Sequence, residues 1–151
     1  ALRVYPMKAL IQRVTHASVV VDGDCVGEID RGILLLLGVE KQDSEDTVKR
    51  AVDKVLGYRL FEDDAGKMNL SLKDVQGGLL VVSQFTIVAD TKKGLRPSFS
   101  SGASPDQGKF LYDEFVMRAT ELYSPVQSGT FGADMKVSLL NDGPVTFMLD
   151  F

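Results

Sequence analysis

Four stretches carry side chains whose types and spacing suit chemistry. SQFT, residues 83–86, closes a β-prone apolar run with three polar side chains around one aromatic. If the strand continues through it, alternation puts Ser83 and Phe85 on one face, Gln84 and Thr86 on the other. It then reads either as a strand end whose hydroxyls bond to backbone, or as a polar terminus that positions a carbonyl substrate. In the second reading Thr86 is a nucleophile or a hydrogen-bond donor. KKGLRPSF, residues 92–99, offers Lys92, Lys93 and Arg96 as phosphate donors and Phe99 as a ring on which a base can stack. It also reads as a plain solvated basic loop. NDGPVT, residues 141–146, is a turn that proline spoils. Asp142-Gly143 alone suits a two-residue hairpin, but Pro144 has no N–H to return to the ladder and narrows the conformations open to Gly143. With a trans bond this is a loose turn; with a cis bond it is a rigid backbone shape whose carbonyls can touch a ligand. Arg13 ends an apolar stretch, where it either reaches the surface along its own stem or clamps a carbonyl or carboxylate.

Other catalytic sets are excluded. His16 is the single histidine and Cys25 the single cysteine. A two-residue turn at Asp22-Gly23 pairs Val20 with Cys25, which leaves His16 four residues further along, roughly 13 Å from the thiol at ~3.3 Å per residue. That is too far for proton transfer. No GxSxG elbow is present for a serine triad, and one histidine with one cysteine does not make a zinc site. AGKM at 65–68 lacks the leading glycine and final hydroxyl of a P-loop, and no GxGxxG occurs. No metal or cofactor is expected. A threonine nucleophile needs a base nearby, and none is evident for Thr86.

The elements that must position these residues follow from periodicity. MKALIQRV (7–14) and ASVVVDGDCVGEI (17–29) read as strands, the second with a hairpin at Asp22-Gly23. GILLLLGV (32–39) is continuous and apolar, as a strand buried on both faces would be. Val48, Val52, Val55 and Leu56 then recur at helical spacing, with Asp43 or Ser44 as cap, and predict a helix over about 44–57. FEDDAGKMN (61–69) is a polar turn region, and LLVVSQFTI (79–87) is a strand. DTKKGLRPSFSSGAS (90–104) is a long loop of the kind that often carries function. Ser104-Pro105-Asp106-Gln107 combines cap, first-turn proline and capping-box glutamine. It starts a helix over about 104–123 whose apolar side holds Phe110, Leu111, Phe115, Ala119 and Leu122, and which Pro125 stops. Two last strands flank NDGP. The fold class is α/β: one domain over 7–151 with a mixed, mainly antiparallel sheet and two main helices.

With 151 residues the chain is long enough for a real core. Its net charge of −4 argues against broad wrapping of nucleic acid, though not against a local basic loop meeting one nucleic-acid end. One cysteine and no signal-peptide pattern point to a reducing, cytoplasmic setting. Residues 1–6 precede Met7 and read as an extension or expression remnant without function.

MKALIQRVTHASVVVDG, SQFT, DTKKGLRPSFSSGA and NDGPVTF, in this order from Met7 to Phe151, resemble the bacterial-type D-aminoacyl-tRNA deacylases. The pairing of SQFT with NxGPxT is the specific part; Ile87 stands where leucine is common, a conservative departure. The resemblance implies hydrolysis of the ester between a D-amino acid and the 3′-terminal adenosine of tRNA, a proofreading step in translation. It also implies removal of glycine mischarged on a non-cognate tRNA. It implies a homodimer in which Gly143 and cis Pro144 enter the partner's active site as a chiral filter, with Arg13 holding that motif. Ser83, Gln84, Phe85 and Thr86 would form the pocket for the aminoacyl ester and adenosine. Two chemistries stand: Thr86 as nucleophile, or assistance by the tRNA 2′-OH with backbone N–H groups near Phe85–Thr86 holding the oxyanion. The lack of a base favours the second. Competing functions are a non-catalytic tRNA- or nucleic-acid-binding module, and an esterase or amidohydrolase acting on free D-amino acid derivatives.

Overall fold

Residues 7–151 are described by the computed structural model; the expectation for residues 1–6 lies outside them. The first strand does not pause at Thr15 and His16. It runs unbroken as β1 (Lys8–Val21), with those two residues exposed in mid-strand. The polar pair reads as an interruption because periodicity reports only side chains, whereas the backbone stays extended: His16 pairs with Leu140 on one edge, and the other edge passes here from one partner strand to the next. One edge meets β8 (Lys136–Leu149) antiparallel. The other meets β3 (Gly32–Gly38) over Lys8–Val14 and β2 (Asp24–Ile29) over Ala17–Val21. The Asp22-Gly23 turn has positive φ at both residues, 50° and 82°, and sets Val20 opposite Cys25 as a two-residue loop requires.

Strand β3 is buried on both faces, as its continuous apolar sequence predicts. Leu35 packs among Ile11, Leu79, Val52 and Phe115, while Leu34 packs on the opposite side with Val14, Val19 and Leu80. Parallel to β3 runs β6 (Gly78–Ser83), and parallel to that β7 (Val126–Ser128), so the sheet is mixed. Gly32 and Gly78 face each other so closely that a Cβ on Gly32 would lie 1.9 Å from the Gly78 carbonyl oxygen. The polar 61–69 stretch folds into a small separate hairpin, β4 (Phe61–Glu62) and β5 (Met68–Leu70).

The first long helix, α1 (Glu45–Gly57), buries Val48, Ala51, Val52 and Val55 against the sheet. Ser44, not Asp43, is its cap residue, and the Ser44 N–H donates to Thr47 Oγ1 at 3.1 Å. A single turn, α2 (Leu72–Val75), follows β5, and the second long helix is α3 (Pro105–Leu122). Ser104 Oγ accepts from the Gln107 N–H at 3.3 Å. The Gln107 side chain does not fold back as in a capping box. It donates to Lys41 O and Asp43 O at 3.2 and 3.1 Å, stitching the start of α3 to the approach of α1. The inward stripe of α3 is Leu111, Tyr112, Phe115 and Ala119; Phe110 and Leu122 are exposed, contrary to the expected apolar side. Phe110 sits about 100° round the helix from Leu111, and Leu122 lies in the terminal turn.

Two further expectations fail. The strand expected over 79–87 ends at Ser83, and Phe85–Val88 is a 3-10 turn. The last sheet bond is Gln84 N–H to Leu37 O, because β3 itself ends at Gly38. The turn then folds across Gly38, where a Cβ would lie 2.3 Å from Ile87 Cγ2. Face alternation therefore does not apply across SQFT. Nor do two strands flank NDGP as hairpin partners. Both flanks belong to β8 and both pair with β1, so NDGPVT is a bulge within one strand.

Candidate active site

The end of β6 and the start of α3 open a cleft of about 750 Å³. Ser83, Gln84, Phe85 and Thr86 line one wall, Ala103, Ser104 and Pro105 another, and Phe131–Met135 a third. Leu37, Val82, Tyr112 and Val137 give it an apolar lining. All four SQFT residues thus come together at one cavity. Tyr112 donates its hydroxyl to Val81 O at 2.8 Å, and burial pushes that phenol up to about 12. It is a fixed structural group there and not a proton shuttle.

Polar chemistry at the cleft is limited. Gln84 Nε2 donates to Thr86 Oγ1 at 3.0 Å. An amide N–H cannot take a proton from a threonine. His16 contacts Thr15 Oγ1 and does not line the cleft. Asp134, on the third wall, is exposed and pairs with Lys136 at 3.2 Å. The N–H groups of Phe85 and Thr86 head the 3-10 turn, where backbone donors have no partner inside the turn. Among the described residues no hydrogen bond from either is found. Two unengaged donors at the mouth of a cleft can receive a developing oxyanion.

The basic loop reaches this site through Phe99, whose ring lies 5.3 Å from that of Phe85 at 54°. Lys92, Lys93 and Arg96 are exposed, line no part of the cleft, and make no ion pair among the described residues. The loop turns at Gly94, φ +67°, between the bridged residues Asp90 and Ser98. Its far end is tied down by Lys41 N–H to Ser101 O, Ala103 N–H to Val39 O, and Ser101 Oγ to Val88 O, each at 3.0 Å.

Beneath that anchor lie two buried carboxylates that spacing alone did not mark. Asp43 Oδ2 accepts from the Glu40 N–H at 2.7 Å, and Lys8 Nζ stands 3.8 Å from Glu40 Oε1. Burial pushes Asp43 up to about 7, against the backbone donor that favours its anion, and burial also raises Glu40, against Lys8. Asp43 looked like a helix cap because that is what aspartate before an amphipathic run usually is. Among the described residues no group of His, Cys, Asp or Glu is arranged to hold a metal ion.

Gly143, Pro144 and Arg13 form a second feature. Two steps on β1, Gln12 to Val14, face five on β8, Thr146 back to Asn141. The surplus leaves the sheet opposite Arg13. The Gly143–Pro144 bond is cis, as is Ser124–Pro125, which no expectation covered. Gly143 has φ +132°, and a Cβ there would lie 2.6 Å from Val145 Cγ2 and 3.1 Å from Arg13 Nη2. Arg13 is buried; its Nε donates to Asp142 O at 3.1 Å and its Nη1 to Leu60 O at 3.0 Å. The Asp142 and Glu62 carboxylates lie 3.7 and 4.0 Å from the guanidinium. Gly143 and Pro144 are both exposed and do not line the cleft of their own chain.

Comparison with known proteins places the chain in a family. A family model described as D-Tyr-tRNA(Tyr) deacylase matches residues 10–150. The chain is similar to the D-aminoacyl-tRNA deacylase of Saccharophagus degradans, 60% identical over 143 residues, which covers 95% of this chain and 99% of that one. It is similar to the protein of the same name from Teredinibacter turnerae, 62% identical over 144 residues with 95% and 99% covered. A solved structure described as c-Myc DNA Unwinding Element Binding Protein superposes with TM-score 0.90 at 40% identity, covering 95% and 98%. A probable eukaryotic D-amino acid tRNA deacylase superposes with TM-score 0.84 at 19% identity over 96% and 99%, a likeness of fold. With the match running through both the SQFT cleft and the β8 bulge, the chain belongs to the D-Tyr-tRNA(Tyr) deacylase family.

Proposed function

We propose that this protein hydrolyses the ester joining a D-amino acid to the 3′-terminal adenosine of tRNA, and spares the L-aminoacyl ester. The observation that carries the reading is the SQFT cleft in a chain about 60% identical to D-aminoacyl-tRNA deacylases along nearly its whole length. The ester sits with its carbonyl oxygen toward the N–H groups of Phe85 and Thr86. The adjacent ribose 2′-OH assists the attack. In support, the Thr86 hydroxyl has an amide as its hydrogen-bond partner among the described residues, and no carboxylate or imidazole. Lys92, Lys93 and Arg96 meet the phosphates of the acceptor end, and Phe99 stacks on a base.

Stereoselectivity belongs to Gly143 and Pro144 in this reading. They stand at the surface and outside their own cleft, so they reach substrate in the cleft of a second copy, and the working unit is a homodimer. A backbone shape held by Arg13 can refuse an L side chain sterically without contacting the D side chain, which makes editing insensitive to side-chain identity. Glycine has no side chain to refuse, so a glycyl ester passes as well. The test is release of amino acid from D-Tyr-tRNA and L-Tyr-tRNA at equal enzyme: selective release of D-Tyr is expected, and equal or no release overturns the proposal.

One alternative has its own support. The structure that is 40% identical carries a DNA-binding description, which fits a nucleic-acid module without catalysis. Tight binding of deacylated tRNA together with no release of D-Tyr would favour it.

A further inference from the structure

The β8 bulge is closed at its neck by two side chains that the proposed reaction leaves unused. A segment pushed out of a sheet leaves backbone groups without ladder partners. Pro144 offers no N–H, so the Val145 N–H is the first donor after it. Val145 is buried, so that donor needs a partner within the protein. Asn141 supplies it: Oδ1 accepts from the Val145 N–H at 3.0 Å. A backbone N–H can only donate, so the amide oxygen must face it and the amide nitrogen must point elsewhere. That nitrogen donates to Thr146 Oγ1 at 2.9 Å. The two residues bounding the bulge are thereby joined across its neck, while Arg13 holds Asp142 O from the β1 side.

We infer that Asn141 and Thr146 are positioning residues for stereoselectivity. They fix how far Gly143 and Pro144 stand out from the sheet, and that distance sets which aminoacyl configuration is refused. The inference rests on the proposed filter role of Gly143 and Pro144. Asparagine suits the position because it accepts and donates at once. Aspartate keeps the acceptor and lets the Thr146 hydroxyl become the donor, so Asn141→Asp retains the clasp. Asn141→Ala and Thr146→Val open it, and Thr146→Ser retains it.

The experiment measures kcat and KM on D-Tyr-tRNA and L-Tyr-tRNA for the parent and these four variants, with Gly143→Ala as reference for the filter and thermal unfolding as a check of folding. The alanine and valine variants are expected to narrow the D-over-L ratio of kcat/KM by about tenfold or more, mainly through faster L hydrolysis, with the aspartate and serine variants within about threefold of the parent. If Asn141→Ala does not fold, Thr146→Val, which leaves the Val145 bond intact, decides alone. An unchanged ratio in the opened variants, or an equal fall of both rates, while Gly143→Ala collapses the ratio, overturns the clasp and leaves the filter standing. An unchanged ratio in Gly143→Ala too overturns the filter, and the clasp with it.

Discussion

Arg13 Nε donates to the main-chain carbonyl oxygen of Asp142 at 3.1 Å, across a strand pair whose register slips at this point. The same guanidinium reaches Leu60 O, so one buried side chain ties β1, the β8 bulge and the approach to β4 together. Planar donors spread over two directions make this possible, and a lysine ammonium on a flexible stem does not reproduce it.

Arg13→Ala should therefore destabilise the fold and loosen selectivity together. It leaves the carbonyl oxygens of Leu60 and Asp142 without this donor, at a cost of about 2–3 kcal/mol. A lower urea midpoint with unchanged slope, and measurable L-Tyr-tRNA hydrolysis, are the expected readings. Arg13→Lys should recover only part of either. A variant as stable and as selective as the parent would remove Arg13 from the account.

Thr86→Ala should keep deacylation within about tenfold of the parent, because the chemistry proposed needs no side-chain nucleophile. A tRNA ending in 2′-deoxyadenosine should react more than about a hundredfold slower with the parent enzyme. Single-turnover hydrolysis of both combinations checks the pair. An inactive Thr86→Ala that still binds tRNA would point back to the acyl-enzyme route.

The buried Asp43 carboxyl should make stability depend on pH. Its folded value, about 7, stands above the ordinary 3.8, so the folded state holds the proton more tightly than the unfolded chain. The stability this contributes is complete below 3.8 and disappears as pH rises through about 7. Burial raises Glu40 as well, which acts in the same direction. Asp43→Asn should flatten this part of the profile, by an amount on the order of a few kcal/mol. Urea midpoints between about pH 4 and 8 for parent and variant, with exchange of the Lys41 and Ala103 amides that donate to Ser101 O and Val39 O, are the measurements.

Removing the loop cations should weaken tRNA binding without touching stereoselectivity. Each of Lys92, Lys93 and Arg96 that neutralises a phosphate adds about 0.7 to the steepness of log affinity against log salt. A triple alanine variant should show a higher KM, a shallower salt dependence and an unaltered D-over-L ratio. A salt slope identical to that of the parent would mean that these side chains point away from the RNA.

Local chemistry was legible where the cause is local. Val48, Val52 and Val55 announce α1 because one helical face must be apolar to be buried. Asp22-Gly23 announces its hairpin because both residues tolerate positive φ. The continuous apolar run of β3 announces burial on both faces. The residue types of the cleft were also visible, since SQFT stands out against an apolar run. Phe110 is apolar yet exposed, because hydrophobicity along a helix does not say what covers each of its sides.

Relations between distant segments were beyond any reading of neighbours. Asp142-Gly143-Pro144 has the composition of a turn, and turn chemistry is the same whether the chain reverses or only steps out of line. Which of the two happens depends on whether both flanks pair with the same strand, and β1, at the other end of the chain, settles it as a bulge. The end of β6 at Ser83 likewise follows from where β3 stops, and the raised Asp43 follows from what is packed over it. Composition and periodicity determine which residues seek the interior and which stretches become helix or strand. Register, bulges and buried charge are properties of pairs far apart in the chain, and the folded arrangement alone brings those pairs together.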